Sequence, residues 1–323
     1  MTDSVVALFK TSDTPEWNSL AGESGISSIL HSRDFLGYHG ERFVDRSLTI
    51  RDSGGRLTGI FPAAQSKDDA KAVISHPGAT FGGLLTTPDV TGAAFENMMA
   101  RATAFWAGMG YRVLAYKAVP FIYHAVPRQE DTYVLWRLGA RLSRRTLSAC
   151  IDLAGRLSSS SRRNRSLAKA RRSGCTVRAG YDVLGHFWPV VESSLLERHG
   201  VRPVHSLAEI QYLAHRFESN IECLGAFIDD ELVAGAVLFT SQTAAHVQYS
   251  LSSPRGLSIG AMDLLMDHAI SASASHAVRY FDLGISTDPS GRELNESLHQ
   301  FKMEFGAGTV VYDQYELALG AHS

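Results

Sequence analysis

A lysine set between two phenylalanines, Phe301-Lys302-Met303-Glu304-Phe305-Gly306, is the stretch of this chain best suited to chemistry. Leu294, Leu298, Phe301 and Phe305 recur at helical spacing and would form the buried stripe of a helix, with Lys302 one step past its edge. A lysine so placed rests its stem on apolar surface and turns its ammonium into a cleft, where it would stabilise a developing oxyanion. The plain alternative is a helix lysine facing solvent.

Other residue sets point to binding. Arg198-His199-Gly200-Val201-Arg202-Pro203-Val204-His205 gathers two arginines and two histidines in a segment broken by Gly and Pro. Arg198 and Arg202 suit a carboxylate or phosphate on an acceptor, and His199 or His205 could serve as a base or a cap. No acidic or thiol ligand stands at a metal-binding spacing beside them, so no metal is expected. Arg162, Arg163, Arg165, Lys169, Arg171 and Arg172 form a cation run with almost no acid between them, either a solvated helix face or a contact for a phosphate-rich donor.

Gly256-Leu257-Ser258-Ile259-Gly260 spells G-x-S-x-G between a strand and a helix, and Ser258, Asp282 and His299 follow in an order found in serine hydrolases. Ser252 to Arg255 separate that serine from its strand, and too little chain remains for a hydrolase sheet, so a serine hydrolase ranks second. The same loop reads as an anion site, with Arg255 and Gly256 ahead of a helix whose first free amides come from about Gly260 and Ala261.

The elements that must position these groups follow from periodicity. Arg279 to Thr287 alternates like a half-buried strand, Leu294 to Phe305 is helical, and Val310 to Leu317 alternates again. Leu48 to Pro62 reads as a hairpin on an Asp-Ser-Gly-Gly turn, and Cys223 to Phe239 as another around Asp229-Asp230. In the first half the hairpin is followed by His76, Phe81, Gly82 and Gly83, a helix from Ala93 to Met109 and a strand from Tyr111 to Tyr116. In the second, it is followed by a strand from His246 to Leu251, a helix from Gly260 to Ser273 and a strand from Val278 to Asp282. The recurrence of this order points to a duplication, with a boundary in the Ser/Arg-rich segment from Arg144 to Ser161.

The Phe-Lys-x-x-Phe-Gly turn, after a strand carrying Asp282-Leu283-Gly284 and before a closing strand, resembles the FemA/FemB/FemX aminoacyl transferases and their GNAT-superfamily relatives. The basic segment Arg162 to Arg172 running into Val177, and the hairpin Asp229-Asp230-Glu231-Leu232-Val233-Ala234-Gly235, are similar to parts of the same family, and the likeness is strongest over 145 to 317. It implies an α+β fold of two tandem GNAT-like domains, 1–145 and 146–323, each a mixed, mostly antiparallel sheet flanked by helices. It further implies catalysis by Lys302, Tyr249 and Asp282, with Gln248 beside Arg198, His199, Arg202 and His205 in acceptor binding. Donor binding would fall to Arg162, Arg163, Arg165, Lys169, Arg255, Gly256 and Gly260. From Arg255 the glycines depart from the coenzyme A signature of GNAT enzymes, which tilts the expected donor toward aminoacyl-tRNA over a coenzyme A or carrier-protein thioester. Either donor is a co-substrate, and no cofactor is expected to stay bound.

At 323 residues and 45% hydrophobic content the chain can fill two cores. A formal charge of -2 does not mark a nucleic-acid binder as a whole but leaves room for a local basic patch. Cys150, Cys175 and Cys223 are odd in number and form no Cys-x-x-Cys pair, as expected of reduced buried thiols. The acidic start and the lack of a long apolar run predict a cytoplasmic protein without a membrane span. The reading is an acyltransferase forming an amide between an activated acyl or aminoacyl donor and a small-molecule or cell-wall-type amine. The alternatives are the Ser258 hydrolase and a non-catalytic tandem-GNAT binding module.

Overall fold

The computed structural model describes residues 4–26, 28–276 and 278–320, apart from the side chains of Arg198 and His199. In chain order the elements begin with β1 (Val5–Leu8), α1 (Thr14–Glu23), α2 (Arg33–Gly37), β2 (Leu48–Arg51), β3 (Leu57–Phe61), β4 (Ala64–Gln65) and β5 (Ala72–Ile74). There follow β6 (Leu85–Thr86), α3 (Gly92–Gly108), β7 (Val113–Lys117), α4 (Glu130–Arg137), β8 (Arg141–Asp152), α5 (Ser161–Arg172), β9 (Thr176–Ala179), α6 (Val183–His199) and α7 (Leu207–Arg216). The chain ends with β10 (Ile221–Ile228), β11 (Glu231–Thr240), β12 (Ala244–Ser252), α8 (Pro254–Ile259), α9 (Ala261–Ser275), β13 (Tyr280–Ile285), α10 (Glu296–Met303) and β14 (Gly308–Ala318).

Two compact units result. The first comprises Met1–Thr146, Asp288–Glu293 and Val311–Ser323, and the second Leu147–Thr287 and Leu294–Val310. From sequence the whole of 146–323 is expected in one domain. By contacts the closing strand and a short turn group with the first unit, because β14 passes from one unit into the other and its later residues pair with β7. Both units are α+β, with mixed and mostly antiparallel strands.

In the first unit β1, β2, β3 and β6 form an antiparallel sheet, while β5 runs parallel to β7 and antiparallel to β4. Phe95, Met98, Met99, Ala102 and Trp106 recur at helical spacing on α3 and bury one face in the core with Leu48, Phe61 and Tyr116. A second cluster packs Trp17 and Leu20 of α1 against Leu57 and Ile60 of β3.

In the second unit the strand order is β8-β13-β12-β11-β10-β9, and every neighbouring pair is antiparallel except β12 with β13. β11 is buried from Leu232 to Phe239, as a central strand covered on both faces must be. Leu265, Met266, Ala269 and Ile270 of α9 close one face over Ala234, Ala236 and Leu238. α6 closes the other: its Phe187 ring occupies the space above Gly235, where a Cβ would lie 2.2 Å from the ring. Each of these aromatic or branched side chains contributes about 1.5–3 kcal/mol on burial.

The connections are set locally. Ser206 and Glu209 form a reciprocal capping box that starts α7, and Asn295 caps α10 by accepting from the Leu298 amide at 3.0 Å. α6 runs through Pro189, and Gly200 ends the helix in the left-handed conformation. All three cysteines are free and buried. Among the described residues no helix is long and apolar enough to cross a membrane.

Candidate active site

β12 and β13 pair over three rungs only, Ala244 with Tyr280, Ala245 with Phe281 and His246 with Asp282. β12 continues to Ser252 and β13 to Ile285 with no further pairing between the two, so they part directly after His246 and Asp282. Ala245, Val247, Phe281 and Leu283 pack toward α9. By alternation His246 and Asp282 point to the opposite face, the one α6 covers.

There His246 Nδ1 lies 2.7 Å from Asp282 Oδ2. Asp282 is fully buried and also accepts from Ser148 Oγ at 2.5 Å and the Gly284 amide at 3.0 Å. The Ser148 hydroxyl and the Gly284 amide both donate to this buried carboxyl, which favours its accepting, ionised form. An ionised carboxylate only accepts, so Nδ1 directs a proton at it, and in the tautomer this selects Nε2 keeps its lone pair. The His246 side chain is 16% exposed, and among the described residues nothing bonds Nε2. This is an oriented base of the kind that removes a proton from a nucleophile.

Lys302 stands beside it. Its Nζ donates to the carbonyls of Gly284 at 2.8 Å and Ile285 at 2.6 Å, which leaves the third of its three donors. Burial pushes the ammonium down to about 8 against the opposing pull of Asp282. Gly284 has φ +82, and a Cβ there would lie 3.7 Å from His246 Cε1 and 3.8 Å from Lys302 Nζ, so imidazole and ammonium border the same glycine. The expected surroundings of Lys302 need correction: Leu294 and Leu298 are 41% and 38% exposed, whereas Lys302 is 9% exposed. The carbonyls of Gly284 and Ile285 at the end of β13 hold the ammonium inward.

Tyr249 joins the same face through a bulge. β11 pairs Val237 with Tyr249 and Leu238 with Val247, leaving Gln248 as the extra residue, so that His246 and Tyr249 share a side three residues apart. Tyr249 hydroxyl bonds His205 Nδ1 at 2.7 Å and its ring meets Trp188 edge-on at 5.1 Å; burial pushes the phenol up to about 12. His205 is buried, Arg202 is exposed, and Gln248 is half-buried beside Tyr249. The side chains of Arg198 and His199 lie outside the described residues.

The cation run divides. Arg163 is buried, bonded to Asp263 at 2.6 Å and Glu304 at 2.9 Å, with its guanidinium 4.3 Å from the Phe301 ring centre. Arg162 grips the same Glu304 at 2.6 Å, and Lys169 Nζ donates to the Ser258 carbonyl at 2.6 Å. Arg162 and Arg163 are therefore fasteners of α5 to α9 and α10, which corrects the expectation that they meet a donor. Arg165 and Arg172 are exposed and carry no partner among the described residues.

The loop expected to hold a phosphate is also built differently. Residues 254–259 coil into α8, Arg255 pairs with Glu231, and a Cβ on Gly256 would lie 2.0 Å from the Val233 carbonyl. Gly260 takes φ +79 with Ser166 Oγ 2.3 Å from where its Cβ would stand. These glycines admit close packing and leave no open loop for an anion. Ser258 lies within α8 and donates to the Arg255 carbonyl at 2.7 Å, and Asp282 partners His246, so the hydrolase arrangement is absent among the described residues.

His246 escaped the sequence reading because a lone histidine on a strand has no local signature. Comparing the two halves supplies one. The last parallel rung of the first unit pairs Ile74 with Ala115, where the second unit pairs His246 with Asp282. Beyond that rung in the first unit, Ser75 Oγ accepts from the Lys117 amide at 2.7 Å and Lys117 Nζ donates to the carbonyls of His76 and Ala79. At the rung itself the first unit carries the apolar Ile74 and Ala115, whereas the second carries His246 and Asp282.

Residues 156–296 match the acetyltransferase (GNAT) domain family. No curated protein matches the chain in sequence. Among solved structures, FemX superposes with a TM-score of 0.71 at 10% identity, covering 98% of this chain and 97% of that one. L-PGS from Bacillus licheniformis gives 0.59 at 13% identity over 95% and 91% of the two chains. A tandem GNAT protein from the clavulanic acid biosynthesis pathway gives 0.53 at 13% identity over the whole of both. The chain thus carries a GNAT-type acyltransferase domain over residues 156–296 and, along its length, the fold of FemX and of that tandem GNAT protein.

Proposed function

We propose that the second unit forms an amide by moving an acyl or aminoacyl group from an activated ester or thioester to an amine. The observation that supports this reading most strongly is the Asp282-oriented His246 at the point where β12 and β13 part, with Lys302 across Gly284. The amine nitrogen attacks the acyl carbonyl carbon and a C–N bond forms. The carbonyl π electrons move to oxygen, and the third N–H of Lys302 meets that oxyanion. His246 Nε2 takes the proton from the amine nitrogen. The carbonyl then re-forms as the C–O or C–S bond to the carrier breaks, and the leaving group is protonated from His246 or water.

Aminoacyl-tRNA is the favoured donor, because Gly256 and Gly260 are packed against Val233 and Ser166 and leave no open glycine loop for a pyrophosphate, while Arg165 and Arg172 are exposed on α5. The acceptor is placed on the α6 side, near Tyr249, His205 and Gln248. The test offers a panel of primary amines with aminoacyl-tRNA or acyl-coenzyme A and detects the amide by mass spectrometry. Amide formation that drops at least a hundredfold in His246→Gln, with an unchanged fold by circular dichroism, is expected. Failure of every donor to yield an amide, or undiminished turnover in His246→Gln, would sink the reading.

A further inference from the structure

Lys302 is followed backward along α10 by Leu298, four residues away on the same face, and then by Leu294 just ahead of the helix cap. Both leucines are exposed, at 38% and 41%, and so is Ile285 at 37%, whose carbonyl takes a hydrogen bond from Lys302. The backbone holds them side by side: Thr287 bridges Leu294, and the Asn295 amide donates to the Ser286 carbonyl at 2.8 Å. An apolar strip of partly exposed side chains therefore starts at the buried ammonium and runs outward. On this helix four residues advance about 6 Å, roughly the reach of a five-carbon chain.

We infer that this strip seats the hydrocarbon part of the transferred acyl group. The inference rests on the reading above, in which the Lys302 ammonium marks the acyl carbonyl; the substituent on that carbonyl then lies along Leu298 and Leu294, with Ile285 beside it. The group carried is larger than acetyl and apolar for several carbons, either a plain alkyl chain or the side chain of an apolar amino acid. Polar and one-carbon substituents leave the strip wet and gain nothing from it. Continuity with the reaction centre selects the acyl group as occupant over a protein partner.

The test reads binding alone, with carboxamides standing in for the acyl half of the product. Acetamide, butanamide, hexanamide and octanamide are titrated by ligand-observed NMR against the wild type, Leu298→Gln, and Leu257→Gln as an exposed control on α8. Affinity is expected to rise about twofold per methylene, half the gain of a fully buried chain. The rise should flatten in Leu298→Gln and persist in Leu257→Gln. Equal binding of acetamide and octanamide, or a chain-length dependence that survives Leu298→Gln, overturns the proposal. Leucinamide and 4-methylpentanamide share a side chain and differ in the ammonium, so tighter leucinamide assigns an aminoacyl group and tighter 4-methylpentanamide a plain acyl group. A chain-length dependence in a protein that transfers nothing retires the catalytic reading and keeps the strip; transfer with a flat dependence does the reverse.

Discussion

His246 and Asp282 face each other across the last rung that β12 and β13 share, Nδ1 to Oδ2 at 2.7 Å, and the sheet opens immediately beyond them. The carboxylate holds the tautomer and the opening gives Nε2 its access. Asp282→Asn keeps the shape but lets the amide present its N–H to Nδ1, which moves the imidazole proton to Nε2. Turnover should fall by at least a hundredfold with little change in donor KM. Steady-state kinetics with near-normal turnover would show that His246 needs no orienting partner.

Lys302 sets a pH limit. Its ammonium sits at about 8, below the ordinary 10.5, because burial disfavours the charge. Turnover that needs the charged form should decline as pH rises through about 8, and this limb should be missing from the residual activity of Lys302→Met. Between pH 8 and 10.5 the unfolded chain binds the extra proton, so wild-type stability should rise with pH relative to Lys302→Met across that window. Denaturant melts at pH 7.5 and 10 check it, and parallel trends in the two proteins would contradict the assignment.

Arg163 is a structural cation. Arg163→Ala leaves the buried Asp263 without its main partner and removes one of the two arginines on Glu304. A loss of about 3 kcal/mol in urea unfolding is expected, whereas Arg165→Ala should stay within about 0.5 kcal/mol. Equal effects of the two would show that the network contributes nothing to stability.

If tRNA is the donor, Arg165 and Arg172 are the residues of α5 left to meet its phosphates. The double variant Arg165→Ala/Arg172→Ala should reduce the slope of log binding constant against log salt by about one to two. Arg162→Ala should leave it alone, since Glu304 already occupies that guanidinium. Filter binding across a salt series decides, and an unchanged slope in the double variant places tRNA elsewhere or excludes it.

Tyr249→Phe removes the hydroxyl bonded to His205 Nδ1 and leaves the ring against Trp188. Stability should fall by about 1 kcal/mol, and the acceptor KM should rise more than kcat falls if this pair lines the acceptor side. A pure kcat effect would instead place the phenol at the reacting atoms.

Much of the architecture was legible in the chain because it rests on local rules. The hairpins at 48–61 and 223–239 are written in short apolar runs joined by turn residues, the helices at 92–108 and 261–275 in apolar spacing, and the duplication in their order. Lys302 could be singled out because it lies within one short motif. What the sequence could not decide is which long-range partners each charge would meet. Arg162 and Arg163 look like free cations until Glu304, 142 and 141 residues away, closes on them. His246 has no neighbour of note until the parallel pairing of β12 and β13 brings Asp282 alongside, and Lys302 is held inside by the carbonyls of Gly284 and Ile285. Periodicity is a property of neighbours along the chain and survives in the sequence; register, bulge and burial are settled by packing among distant segments, and the site is made of those.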